Sequence, residues 1–249
     1  MKYSARIVFL ALLAAAMLAA QGHGFGGGPD RGFGFGMIGP AGRTPVTGAP
    51  YSAVEVRVYA QTLANGNRIQ RQEQTSIWRD SQGRVRTETV SRLNHTTITV
   101  FDPVAGNVVR LDTQRQTAMV STVKGRTWQD AARPHGAGNQ PAVAKEDLGP
   151  STINGRPASA TRMTRTIPVG AIGNQQAITV THTVWMSPDL KVPLQIVSDD
   201  PRFGTTTTTL TNIVQAEPDA ALFQIPSGYA VRTMPTGRGP HGGAPVQSE

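Results

Sequence analysis

The chain has no cysteine. That absence excludes disulfides, thiolate metal sites and thiol nucleophiles together, and with them the lipid-bearing cysteine of a bacterial lipoprotein. Aromatic residues are few, with 3 Trp, 4 Tyr and 7 Phe among 249 residues. Each one in a structured stretch is therefore a candidate core anchor or ligand wall. Acidic residues are outnumbered 16 to 24 by Lys and Arg, for a net charge of +8. Setting aside Lys2 and Arg6 leaves 22 basic residues and a net of +6. The Arg residues are scattered, with no run of five or six, which argues against the clustered footprint of a nucleic-acid binder. No G-x-S-x-G elbow, P-loop or HExxH occurs.

Long apolar runs are also lacking, with one partial exception. Lys2 and Arg6 precede an uncharged stretch from Ile7 to Ala20, and small residues follow at Ala19, Ala20 and Gly22. This is the layout of a secretory signal peptide, cleaved after Ala20 or Gly22. The run falls short of the roughly 20 apolar residues of a spanning helix. It places the mature protein outside the cytoplasm, in the periplasm or beyond. Residues 21–50 are a Gly/Pro-rich leader with isolated Phe at 25, 33 and 35, a composition of flexible tethers. Gly22, Gly24 and Gly27 match G-x-G-x-x-G only formally, with no strand before them and no helix after.

From Tyr51 the pattern changes to period two. Val54, Val56 and Val58 alternate with Glu55, Arg57 and Tyr59, the signature of a half-buried strand. Turn signals then recur about every ten residues, at Asn65-Gly66, Asp80 to Gly83, Asn94-His95 and Asp102 to Asn107. Asn65-Gly66 reads as a two-residue hairpin turn. The rhythm resumes later, with Asn154-Gly155, Ser187 to Asp189 and Asp199 to Gly204 as turns. Ile178, Val180, His182 and Val184 share one strand face, with Thr on the other. Glu217 to Phe223 reads as one helical turn, and no amphipathic helix of three turns follows the signal peptide. The expected fold is mainly β: one antiparallel meander over residues 51–232, curved into a half-barrel or barrel, with outward Thr faces. Residues 124–145 form a long loop and 233–249 a Pro/Gly tail.

Chemistry is thin in one dimension. His23, His135 and His241 lie in Gly/Pro segments, His95 lies in a turn, and no pair has metal-ligand spacing. His182 sits between Val180 and Val184, which suits a satisfied buried histidine. Asp80, Asp102, Asp189, Asp199, Asp200 and Asp219 fall at turns, where a side-chain oxygen caps backbone N–H groups. No cofactor is expected.

Four segments together resemble a group of exported bacterial proteins of acidobacterial type. They are Ile77-Trp78-Arg79-Asp80-Ser81-Gln82-Gly83-Arg84-Val85-Arg86-Thr87-Glu88, Phe101-Asp102-Pro103, Ser198-Asp199-Asp200-Pro201-Arg202-Phe203-Gly204, and Glu217-Pro218-Asp219 with Leu222-Phe223. A signal peptide followed by a long antiparallel meander is more distantly similar to the lipoprotein-carrier superfamily of LolA, LolB and RseB type. That resemblance implies a curved sheet around an apolar cavity that shields acyl chains. The expectation is then a non-enzymatic binding protein for a lipid or lipoprotein, with peripheral membrane contact and no nucleic acid. Its candidate groove is Val56, Tyr59, Ile77, Trp78, Phe101, Val180, His182 and Trp185. Two alternatives stand beside it: an envelope interaction or structural protein acting through the basic surface and leader, and an enzyme whose site assembles from distant positions.

Overall fold

The structure, a computed structural model, describes residues 45–91, 93–122 and 143–234. The signal peptide, most of the leader, most of the 124–145 loop and most of the tail lie outside them. Among the described residues twelve strands build one sheet: β1 (Tyr51–Thr62), β2 (Arg68–Arg79), β3 (Val85–Val90), β4 (Thr96–Asp102), β5 (Asn107–Asp112), β6 (Thr117–Thr122), β7 (Val143–Ile153), β8 (Arg156–Ile167), β9 (Ile178–Met186), β10 (Pro193–Asp200), β11 (Gly204–Val214) and β12 (Ala230–Met234). Their order is β12-β6-β5-β4-β3-β2-β1-β11-β10-β9-β8-β7. Two runs of consecutive hairpins, β1 to β6 and β7 to β11, therefore meet where β11 pairs with β1. All pairs are antiparallel except β12, which lies parallel to β6. The sheet is open, with β7 and β12 at its edges.

Local chemistry explains the turns. Asn154 and Gly155 both have positive φ, 50° and 76°, as a two-residue turn between right-twisted strands demands. Asn65-Gly66 departs from expectation. Only Gly66 has positive φ, Leu63 N donates to Asn67 O, and Gly66 N donates to Leu63 O. The connection is thus a tight turn closed by one left-handed residue. Asn65 acts through its side chain instead, accepting from Asn67 N at 3.0 Å. Asp80 to Arg84 and Ser91 to His95 repeat this bonding, with Gly83 and Asn94 as the left-handed residues. Two strand limits also differ from expectation. β7 begins at Val143, inside the expected loop, and β12 runs to Met234, into the expected tail.

Curvature shows in contacts that skip strands. Asn154 Nδ2, in the β7–β8 turn, donates to Leu210 O on β11 at 3.0 Å, and Arg156 Nη2 donates to Ile213 O at 3.2 Å. Leu190, in the β9–β10 connection, accepts from Arg79 Nη2 on β2 at 2.5 Å. Both bends enclose the side bearing Tyr51, Ala53, Ile77, Val85, Phe101, Val184, Leu194, Ile196 and Leu210, which form the larger core with Leu190. We call this the inner face.

The outer face is closed differently. Ile98, Val100, Val109, Leu111 and Ala118 form a second core with Phe223, flanked by Trp78, Leu222, Ile225 and Tyr229. The chain leaving β11 crosses these strands as a strap, with one 3-10 turn at Ala220–Phe223, before ending as β12. Asp219 caps that turn by accepting from Ala221 N at 2.9 Å. Three groups of the β2–β3 hairpin hold the strap. Glu217 accepts from Ser81 N at 3.2 Å, Arg86 Nη1 donates to Leu222 O at 3.0 Å, and the Arg84 guanidinium lies 4.9 Å from the Phe223 ring.

β1 corrects a reading of its alternation. Its buried side carries Tyr51, Ala53 and Glu55, while Val54, Val56 and Val58 are half-buried. Tyr51, Ala53 and Glu55 stand beside Arg79, Ile77 and Leu210, which set the enclosed side. The Thr faces are likewise not all outward, since Thr206 and Thr208 are buried on the inner face.

Candidate functional site

The inner face changes character along the strands. At one end, here the floor, Tyr51, Ile77, Leu190, Leu194 and Leu210 pack together. Arg79 fastens this end. It is 4% exposed, its Nε and Nη2 donate to Ala49 O at 3.0 and 2.6 Å, and its guanidinium lies 4.7 Å from the Tyr51 ring. A buried cation is tolerated here because carbonyls accept from its Nε and Nη2 and an aromatic face lies against it. Burial still lowers the Arg79 pKa from its ordinary value, partly offset by Tyr51. Burial pushes the Tyr51 hydroxyl up to about 12, against a lowering by Arg79.

Toward the other end, here the mouth, the same face becomes polar. Tyr59, Thr206, Ser198, His182 and Met163 stand in register across β1, β11, β10, β9 and β8. His182 is 0% exposed and Ser198 3%, and His182 Nδ1 shares a 2.7 Å hydrogen bond with Ser198 Oγ. Leaving either group buried and unpaired would cost about 1–3 kcal/mol. Asp200, two residues beyond Ser198 on β10, accepts from Arg202 N, Nε and Nη2 at 3.0, 2.9 and 2.6 Å. Burial raises its carboxyl, but the Arg202 hydrogen bonds and charge outweigh that, with help from Arg165, and hold it below the ordinary 3.8. Gly204 closes this turn at φ 96°, where a Cβ would clash with the Ala60 carbonyl. Tyr59 Oη donates to Phe203 O at 2.6 Å.

The sequence-derived groove residues divide between the faces. Tyr59, Ile77, Phe101, Val180 and His182 lie on the inner face; Val56, Trp78 and Trp185 alternate to the other side. Ile77 and Phe101 join the floor core, Val180 and His182 lie toward the mouth, and Trp78 packs under the strap. Trp185 turns away from Val184 yet touches the rim of the inner core. Arg79, Leu190, Ser198, Thr206 and Thr208 escaped the sequence reading. The last two sit in a Thr run whose inner and outer members look identical in one dimension. Arg79 could have been suspected from its place inside an alternating strand directly before a turn. Among the described residues no group of three or more His, Asp or Glu is placed to hold a metal ion.

No family model matches the chain, and no curated protein matches it. Some solved structures align with it at low identity. An uncharacterised conserved protein from Thermus thermophilus aligns at 12% identity over 75% of this chain and 91% of its own, with a TM-score of 0.43. The MucA/MucB complex of Pseudomonas aeruginosa aligns at 15% identity over 78% of this chain and 60% of that one, with a TM-score of 0.42. A LolA-superfamily protein from Nitrosomonas europaea aligns at 10% identity over 74% and 94%, with a TM-score of 0.33.

Proposed function

We propose that this chain is an exported, non-enzymatic binding protein that holds an amphiphile, a lipid or the lipid of a lipoprotein, against its inner face. One observation carries the reading: the enclosed face runs from an apolar floor at Leu194 and Leu210 to a row of hydroxyl and imidazole groups at Thr206, Ser198 and His182. An antiparallel sheet commonly packs an apolar face on its core. A polar row there is useful to a ligand with an apolar tail and a hydrogen-bonding head.

Binding rather than turnover fits the groups present. His182 and Ser198 have the composition of a base and a nucleophile, but Asp200, the carboxylate beside them on β10, is committed to Arg202. Export to the periplasm or beyond follows from the N-terminal pattern of Lys2, Arg6 and Ile7 to Ala20, and it would bring the protein to membrane lipids.

Titration with a fluorescent fatty acid below its micelle concentration tests the reading. Saturable one-site binding, weakened when Ser198→Val and His182→Leu remove the polar row, is the expected result. Fluorescence that rises without saturation, and equally in both variants, would count against it.

A further inference from the structure

At the rim of the floor, the β7–β8 turn folds over β11 and leaves a cleft of about 500 Å³ lined by Asn154, Arg156, Pro157, Thr211, Asn212 and Ile213. That size lies within the range of small-molecule sites. Two backbone features shape it. The left-handed Asn154 opens the turn, and the left-handed Asn212 is the extra residue where β11 slips register against Ser52 and Val54. A bulge of this kind re-aims the side chains around it.

Arg156 is the charged group in this cleft, and its setting is unusual. It is half-buried, and its Nη2 donates to Ile213 O at 3.2 Å while its Nη1 reaches Gln215 Oε1 at 3.4 Å. Both partners are neutral, and among the described residues no carboxylate pairs with it. The nearby acids are occupied or turned away. Glu217 holds Ser81, and Glu55, opposite Leu210, is buried on the inner face. The guanidinium is therefore held in a fixed orientation by neutral acceptors, with its positive charge uncompensated. Asn154 is fixed beside it through Leu210 O.

We infer that this cleft is a site for an oxyanion, the carboxylate or phosphate of a small ligand. A planar guanidinium held in place binds such groups through paired charge-assisted hydrogen bonds. This cleft adjoins the floor through Leu210 but does not include the polar row, so its occupancy does not depend on amphiphile binding.

The test is a two-dimensional ¹H–¹⁵N NMR titration of the full mature chain with sodium phosphate and, separately, sodium succinate, against sodium chloride at matched ionic strength. Saturable shifts at Gly155, Arg156, Asn212 and Ile213 are expected with one or both ligands, and whichever saturates identifies the source of the oxyanion. Arg156→Gln is expected to weaken binding by about tenfold or more, the equivalent of one charge-assisted contact. Arg156→Lys, which keeps the charge and loses the fork, should fall between. If Arg156→Gln fails to fold, Asn212→Asp serves instead, since it puts a negative charge at the exposed bulge and must also weaken binding. Shifts no different from those in chloride, or saturable shifts unchanged in these variants, would overturn the assignment.

Discussion

The two apolar clusters of this sheet are finished by different means. On the outer face, Ile98, Val100, Val109 and Leu111 are covered by the chain's own strap, and Phe223 fills the place a second layer would take. On the inner face the floor is closed by the β9–β10 connection and the β7–β8 turn, while the mouth keeps a polar row. The outer cluster is thus a closed structural core. The inner one is an apolar core at one end and a buried polar row at the other. Composition alone does not separate them, because both draw on the same Val, Ile and Leu strands.

The largest expected effect is on the outer core. Phe223→Ala removes the strap's main anchor, and truncating a buried Phe typically costs about 3–5 kcal/mol. Because the strap also supplies β12, loss of hydrogen-exchange protection should concentrate on β5, β6 and β12 and spare β9 to β11. A uniform loss across the sheet would mean that the two cores are one cooperative unit.

Next is the floor. Arg79→Met keeps most of the volume but strands Ala49 O and Leu190 O, two carbonyls that each accept from a charged donor. Hydrogen bonds to charged groups contribute about 1.5–3 kcal/mol each, so urea unfolding should show a loss of roughly 3 kcal/mol. A change under about 0.5 kcal/mol, the scale of an ordinary surface substitution, would remove Arg79 from its role as a fastener.

pH separates floor from mouth. Tyr51 ionises at an ordinary 10.0 when unfolded and about 12 when folded. Its contribution is therefore complete below pH 10 and lost as the pH rises from 10 to 12. Asp200 has its pKa depressed when folded, so its contribution is present above the ordinary 3.8 and lost as the pH falls through the lowered value. Alkali should loosen β1, β2 and the β9–β10 connection first, and acid the Asp200–Gly204 turn. Asp200→Asn should flatten the acid limb and leave the alkaline one intact. The same order of loss in acid and alkali would show that these two groups do not govern the two ends.

The smallest effect on stability is expected at the row itself. Ser198→Ala together with His182→Leu removes both partners of their shared buried hydrogen bond, which costs less than stranding one of them. Thermal unfolding should move by no more than a few degrees while amphiphile binding falls. A collapse of stability with no change in binding would make the pair purely structural.

Most of the strand rhythm was legible in the sequence, because β-branched runs and turn residues alternate at a fixed spacing. Asn154-Gly155 gave its turn directly, since both positions need positive φ. Asn65-Gly66 did not, because the same dipeptide also serves a turn with one left-handed residue. Sidedness was harder to read. In β1 the apolar residues are Val54, Val56 and Val58, yet the enclosed side carries Tyr51, Ala53 and Glu55. Which side is enclosed depends on Arg79, Leu190 and Leu210, all distant in sequence from β1. β12 was invisible because its five residues are all exposed and it gains its place from the β6 edge alone. The Arg156 cleft was equally hidden, since it needs the β7–β8 turn and the β11 bulge brought together by curvature.

Native mass spectrometry, with lipid extraction, of the protein purified from the periplasm of its expression host tests the amphiphile-binding reading most directly. A stoichiometric co-purified lipid or acyl species, lost in the Ser198→Ala and His182→Leu variant, is the expected result. A clean apo mass that stays unchanged after incubation with phospholipids and a lipopeptide would contradict it.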